Sequence, residues 1–388
     1  MDFGEAVGEE IIDQETNNFS EFDINAMSRS LELAAEGIGL VSPNPLVGCV
    51  IMSEWGEVAG EGTYIYDNVL HAETIALAQA GEKAKGGTAY VSLEPHSHYG
   101  KTPPCTDALI NSGIKRVVSP IEDPNPLVSG RGFAKLRENG IQVVTGILAA
   151  EAAKINEKFI CWHKKHRPFI HLKLAMSLDG RIALKNSVST RFSGEAALKR
   201  VHELRHACDA ILVGGNTAFV DRPSLTDRSG KPRRRQLVRV ILDNRLRIPA
   251  DSPLVMTANE IPTIVFKNSG NTEKTATLRA KGVEIIELEK GARDLPSVLA
   301  ELAKRDIQSI LVEGGTEVAG AFCDAKLVDK ITLMIVPIII GGQNAPLAIG
   351  GKGVLILDDA LRLRNVAISR HDSDIEITGY PSGGGAGH

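Results

Sequence analysis

Three residues in the first third of the chain have the chemistry of a metal-assisted hydrolysis: His71 and Glu73, two positions apart, and Cys105, which follows a pair of prolines. Imidazole and thiolate both bind zinc, and a catalytic zinc keeps three protein ligands with a fourth position open for water. Using that water to displace an amine from a ring also needs a carboxylate that is not a ligand. It carries a proton from the water to the leaving group. His71 and Glu73 at a helix start would put ligand and carrier on adjacent faces. Cys105 at the start of another helix would meet the unpaired N–H groups that favour a thiolate. The third ligand must come from the segment between, Leu93-Glu94-Pro95-His96-Ser97-His98-Tyr99-Gly100-Lys101-Thr102-Pro103-Pro104-Cys105. His96 is the expected ligand, standing where such a site usually places a cysteine; His98 is the other candidate. A His/His/Cys set is harder and less negatively charged than the usual one. The competing reading is a site that has lost its metal and persists as scaffold.

A second signal lies in the other half. Gly214-Gly215 follows DAILV and Gly314-Gly315 follows SILVE. A strand ending in two glycines before a helix leaves bare N–H groups and a positive helix end for a cofactor phosphate. No G-x-G-x-x-G follows a strand, so the pattern is weak alone. Lys173 and Asp179 read as an ion pair at a strand end. The basic run Lys231-Pro232-Arg233-Arg234-Arg235 reads as a solvated loop, with steering of cofactor or substrate as the sharper option.

These residues need elements to hold them. Asp23 is expected to cap a helix carrying Met27, Leu31, Ala34 and Ala35 on one face. LVGCVIM (46–52), GEVAGEG, a helix from His71, TAYVSLE (88–94), helix 104–112, strand IKRVVS, helix 131–139, strand IQVVTG and helix 149–160 follow. This alternation predicts an α/β layered domain on a largely parallel sheet. CWHKKHRP (161–168) reads as a linker. Beyond it come strand FIHLKLAM, a helix over 194–207, strands DAILVG, VRVILD, TIVF and SILVEGG, and helix 316–325. The apolar run 331–340 has the composition of a buried strand. The expected divisions are a disordered acidic arm (1–22), a first domain (23–165), a second (166–380) and a flexible tail (381–388).

The bulk properties narrow the function. With 388 residues, two domains are natural. A net charge of -4 and 4% aromatics speak against a nucleic-acid surface. Five scattered cysteines and no basic or apolar leader point to a reducing, cytosolic setting rather than a disulfide framework. No apolar stretch approaches a membrane span. Long apolar strands in the second half make a homo-oligomer the expectation.

PNPLVGCVI (43–51), HAE (71–73), LEPHSHYGKTPPC (93–105), DPNP (123–126) and GRGF (130–133) together resemble the N-terminal domain of the bifunctional riboflavin-biosynthesis deaminase/reductase family. KLAMSLDG (173–180), HELRHACDAILVGGNT (202–217), DRPSLTDR (221–228) and VEGG (312–315) resemble its dihydrofolate-reductase-like domain. The resemblance covers roughly 25–375, with the domains in the family's order. It implies a cytidine-deaminase-like three-layer domain followed by a reductase. The first would remove ammonia from a diaminopyrimidinone ribosyl phosphate with zinc; the second would reduce the ribosyl to a ribityl chain with NADPH. It further implies that Asn44, His98, Lys101 and Asn125 hold the deaminase substrate. Ser189, Arg205, Leu225, Arg228 and Glu313 would line the reductase substrate, and Ala175, Arg191, Thr217, Asp221 and the stretch from Gly315 and Thr316 to Gly320 would line NADPH. Asn44 and Asn125 have a plainer reading as turn-makers beside proline. Lys101 stands where arginine is usual, Arg222 where an aspartate is, and Arg191 where an aromatic often packs on the cofactor. The alternative is a single-activity relative whose deaminase domain has degenerated.

Overall fold

The computed structural model describes residues 19–100, 103–184 and 192–382. Lys101, Ser189 and Arg191, most of the acidic arm and nearly all of the tail therefore lie outside the described residues. The first half runs α1 (Glu21–Glu36), β1 (Gly48–Met52), β2 (Val58–Thr63), α2 (Ala72–Ala80), β3 (Thr88–Val91), α3 (Cys105–Asn111), β4 (Arg116–Ser119), α4 (Arg131–Glu138), β5 (Gln142–Thr145), α5 (Ala149–Ile155) and α6 (Glu157–Lys165). Its sheet has the order β2-β1-β3-β4-β5. β1 pairs antiparallel with β2 and β3, and only β3–β4 and β4–β5 are parallel. The sheet is thus mixed, not largely parallel, because the connection from β1 to β2 is too short for a crossover helix. Along β1, Cys49 and Ile51 join one buried cluster while Val50 and Met52 join another. That alternation is what a strand covered on both faces requires.

The second half contains β6 (Phe169–Ser177), α7 (Glu195–His206), β7 (Ala210–Gly214), α8 (Gly215–Val220), β8 (Val238–Leu242), α9 (Pro253–Met256), β9 (Thr263–Lys267), α10 (Thr272–Ala280), β10 (Glu284–Glu287), α11 (Leu295–Ala303), β11 (Ser309–Val312), α12 (Thr316–Asp324), β12 (Lys330–Val336), β13 (Leu363–His371) and β14 (Asp374–Pro381). The sheet order is β10-β9-β8-β7-β11-β6-β12-β14-β13. It is parallel from β10 to β12 and closes with the antiparallel pairs β12–β14 and β14–β13. The sequence reading missed the last hairpin, although its strands flank the turn at Asp372-Ser373.

Several expectations need correction. Ser20, not Asp23, caps α1, and Phe19 packs on the core, so order begins before residue 22. Asp23 sits inside the first turn, where its carboxylate accepts hydrogen bonds from Tyr90 (2.6 Å) and Arg116 (2.7 and 3.1 Å). The helix expected over 149–160 breaks at Asn156, whose side chain is hydrogen-bonded to both backbone groups of Leu46. CWHKK is the second half of α6, leaving only His166-Arg167-Pro168 as a connection. The run 331–340 is a strand only to Val336; Ile338 and Ile339 are exposed. Lys173 does not pair with Asp179, which instead accepts from the Ile340 and Gly341 amides. Gly320 does not face a cavity: a Cβ there would lie 2.3 Å from the Gly350 backbone, so it serves close packing of α12.

The arginine run is not solvated either. Arg233 donates to the Arg205, His206 and Cys208 carbonyls at the end of α7. Arg235 donates to the Arg305 and Asp306 carbonyls. Arg234, between them, crosses to the first domain.

Burial works against the Asp23 carboxylate, but the Arg116 guanidinium outweighs it and lowers the pKa from 3.8 to about 2. A carboxylate so depressed stabilises the fold above its unfolded pKa, and that contribution is lost as pH falls through the folded value. Asp23→Asn should cost about 2 kcal/mol at neutral pH. In paired thermal melts the gap to wild type should narrow as pH drops from 3.8 to about 2.

Candidate active sites

The first site grows from a close helix-to-sheet contact. α2 rides directly on β2, where a Cβ at Gly60 or Gly62 would lie 2.1 Å from the carbonyl of Ala76 or Ala72. Glycine on the strand and alanine on the helix let the two backbones touch, which fixes the start of α2. His71 is its N-cap residue and Glu73 lies buried in its first turn. The loop after β3 brings His96 against His71, with ring centroids 4.4 Å apart. Cys105, the first residue of α3, is buried beside them. The ligand atoms of His71, His96 and Cys105 all lie within 4.8 Å of one another.

The loop itself is held by a residue that sequence reasoning passed over. Glu94 is buried, and its two carboxylate oxygens accept from the amides of Asp123 (3.0 Å), Gly130 (2.9 Å), Gly132 (2.8 Å) and Phe133 (3.3 Å). A Cβ on Gly132 would sit 1.9 Å from the Pro95 carbonyl, so the His96 loop and the start of α4 are in backbone contact. The signal was present in Leu-Glu-Pro beside the histidine, but nothing local says where those oxygens point.

Electrostatics make these donors ready for a cation. Burial, with His71 and His98 nearby, lowers the His96 pKa to about 4, so at neutral pH its imidazole is uncharged and can offer a lone pair. Burial and then Glu73 push the Cys105 thiol well above its ordinary value. The helix start expected to favour a thiolate is therefore overruled, and a nearby cation is what would make it one. One buried oxygen of Glu73, Oε2, has no hydrogen-bond partner. A polar atom left orphaned in a dry site asks for a ligand or a water. Three converging donors and that oxygen fit a zinc ion with a water beside it.

Of the residues implied for this site's substrate, Asn44 donates through Nδ2 to the Tyr64 hydroxyl at 2.7 Å, and the Tyr64 ring lies 5.2 Å from that of His71. His98 is exposed, 5.2 Å from the His96 ring. Asn125 follows Glu94's partner Asp123, and its Oδ1 accepts from the Leu127 amide, the turn-making arrangement.

The second site is a cavity of about 760 Å³ opening among β6, β7, β11 and the starts of α8 and α12. Ala175, Arg205, Thr217, Asp221, Leu225, Arg228, Glu313, Gly315 and Thr316 all line it. Such a crevice at the carboxyl ends of parallel strands is where α/β sheets take ligands. Its floor is a buried ion cluster. Arg205 grips Glu313 with two bonds of 2.7 and 3.0 Å, and Lys173 approaches to 3.8 Å. Burial alone would raise the Glu313 pKa; Lys173 and Arg205 hold it down at about 2. Arg205 is thus largely committed to protein groups, including the Thr226 carbonyl at 3.1 Å. Arg228 is exposed at the rim beside His202. Arg222 turns away to Asp251 (2.8 Å).

Comparisons with known proteins bear on both sites. Residues 20–120 match the family model of the cytidine and deoxycytidylate deaminase zinc-binding region, and residues 168–377 match that of the RibD C-terminal domain. The riboflavin biosynthesis protein RibD of Aquifex aeolicus is 42% identical over 357 residues, covering 92% of this chain and 98% of the relative. Its counterpart in Bacillus amyloliquefaciens is 40% identical over 359 residues, covering 92% and 96%. The solved structure of Acinetobacter baumannii RibD is similar with a TM-score of 0.82 at 34% identity, covering 93% of this chain and 99% of that one. A Thermotoga maritima diaminohydroxyphosphoribosylaminopyrimidine deaminase/5-amino-6-(5-phosphoribosylamino)uracil reductase gives 0.82 at 36%, with the same coverage.

Because Glu94 ties the turn before His96 to α4, Glu94→Gln should lose about 2 kcal/mol of stability. It should also weaken retention of zinc during dialysis against a chelator. Unchanged zinc content would mean that the loop holds His96 without Glu94.

Proposed function

The chain belongs to the RibD family of bifunctional riboflavin-biosynthesis proteins, and from that premise we propose roles for individual residues in its two reactions. It is a deaminase and a reductase, with a zinc-binding deaminase domain and a reductase domain of the NADPH-using type. Both domains are present, so the reading as a reductase with a degenerate deaminase is not favoured. We divide the chain at the short connection before β6, with the deaminase domain at 23–165, extended forward to take in the start of α1, and the reductase domain at 166–380.

In the deaminase, His71, His96 and Cys105 would hold zinc, which when bound supplies the Lewis acidity that makes water a nucleophile at neutral pH. The orphaned oxygen of Glu73 carries this reading. A buried carboxylate with one oxygen unpartnered, beside the three donors, is placed to take the water's proton. The same group then returns a proton to the departing amine, so that ring carbon, water and ammonia balance as a hydrolysis. Asn44, braced by Tyr64, and His98 at the rim would orient the diaminopyrimidinone ribosyl phosphate, with Lys101 and Asn125 beside them. His96 keeps three ligands at the cost of one negative charge.

In the reductase, NADPH supplies the hydride that converts the ribosyl to a ribityl side chain. The start of α12, at Gly315 and Thr316, together with Ala175, Thr217 and Asp221, would take the cofactor. Arg228 and His202 at the rim would meet the substrate phosphate, with Leu225 beside them, and Ser189 keeps the substrate role the family resemblance implies. The Lys173–Glu313–Arg205 cluster would fix the charges under the reacting carbon. For Arg191 we keep the role the family resemblance implies, contact with the cofactor.

No described helix is long and apolar enough to cross a membrane, and all five cysteines are free. On this reading the enzyme works in the cytosol, without nucleic acid. It would do so as a homo-oligomer: β13 is a sheet edge, exposed along most of its length, with Val366 and Ile368 on it and Leu355 and Leu357 in the segment before.

Glu73→Gln should lower ammonia release by roughly 10²- to 10⁴-fold with zinc content, and NADPH oxidation on deaminated substrate, unchanged. Ammonia release at wild-type rate would reject Glu73 as the proton carrier. Light scattering should give at least twice the chain mass, and Ile368→Lys should shift it towards one chain.

A further inference from the structure

The three arginines of the 233–235 run end on backbone carbonyls, but only the middle one reaches the other domain. Arg233 and Arg235 are pinned to the ends of α7 and α11, so the Arg234 backbone is held on both sides. Its amide donates to the Gly39 carbonyl at 2.9 Å. Its Nη1 donates to the Ser42 carbonyl at 2.5 Å and its Nε to Asp67 at 3.1 Å. The guanidinium carbon lies 3.4 Å from the centre of the Tyr66 ring.

These contacts close on two segments at once. Ser42 precedes Pro43 and Asn44, the residue whose side chain meets the Tyr64 hydroxyl. Tyr66 and Asp67 precede His71, the first metal-ligand candidate. The Arg234–Asp67 pair counts for little, because Asp67 is exposed. The carbonyl bond and the stacking are different. Arg234 is itself mostly covered, a planar guanidinium over a ring is a directional contact, and a charge-assisted bond to a carbonyl is among the stronger kinds. Beside it, His206 of α7 meets the Ile38 carbonyl at 3.2 Å, and a narrow interdomain cavity of about 70 Å³ is lined by Ser42, Asn44, His206, Arg233 and Arg234.

We propose that Arg234, carried by the reductase domain, is a positioning residue of the deaminase, holding the Ser42 carbonyl and the Tyr66 ring so that Asn44 and Tyr64 face the pyrimidine substrate. This rests on the reading above that Asn44 binds that substrate. The deaminase pocket is then complete only with the second domain in place, which gives the fusion of the two domains a physical function beyond tethering.

The test uses the full-length, zinc-replete enzyme and steady-state kinetics of both reactions, the reductase being supplied with deaminated substrate directly. Arg234→Gln should raise the deaminase KM on the order of tenfold, as loss of a charge-assisted bond does. The deaminase kcat and both reductase parameters should stay near wild type, while the melting temperature falls by a few degrees at most. Arg234→Lys, which keeps the charge and one donor, should recover part of the KM. In the Asn44→Ala/Arg234→Gln double variant the two KM effects should fall short of multiplying, because both act on one loop. A normal deaminase KM in Arg234→Gln alongside a raised KM in Asn44→Ala would overturn the inference and leave the site reading intact. Wild-type kinetics in Asn44→Ala would overturn both. A parallel loss of both activities with a lowered melting temperature would reduce Arg234 to a structural clamp.

Discussion

A carboxylate taken out of water must be given partners, and Glu94 receives four backbone amides from a stretch of eleven residues, Asp123 to Phe133. An unpaired charge there would cost far more than the fold could spare, so the turn at 123–130 and the start of α4 have little choice of position. The Pro95 carbonyl packs against Gly132 for the same reason. His96 is the next residue, and its own carbonyl accepts from the Thr106 amide just past Cys105. One satisfied charge thereby sets two of the three candidate ligands. The third, His71, is set by the glycine–alanine contact of β2 with α2. Contacts within the protein thus converge the three donors, which is what a precise coordination geometry needs.

The two domains arrange their chemistry differently. The first uses helix starts and a loop pinned from beneath to bring two imidazoles and a thiol together. The second uses the open ends of parallel strands and keeps permanent charges under the cavity. Lys173, Glu313 and Arg205 come from β6, the end of β11 and α7, so Glu313 offsets the burial of both cations and they offset its own. Arg234 joins the two designs, since it crosses between the domains to Ser42 and Tyr66, two residues before Asn44 and five before His71.

How much of this could be read from residues alone follows from the range of the forces involved. The alternation of strands and helices, the candidate donors His71, His96 and Cys105 that the fold brings together, and the glycine pairs at Gly214 and Gly314 all depend on contacts within a few residues or on chemical type. Those survive in one dimension. The mixed first sheet depended on the length of the β1–β2 connection, a local feature that the reading passed over, as it did the turn at Asp372-Ser373.

The amino-acid sequence by itself determined the layered α/β class, the donor types and a two-domain order, because periodicity, capping and ligand chemistry are written locally. Only the tertiary structure decided which charges pair. Lys173 left Asp179 for Glu313, Asp23 left its capping role for Tyr90 and Arg116, and the arginines of 233–235 left solvent for backbone carbonyls of three separate segments. A charge seeks whichever partner lies within a few ångströms once the chain is folded, and a partner 192 positions away, as Ser42 is from Arg234, leaves no trace along the sequence.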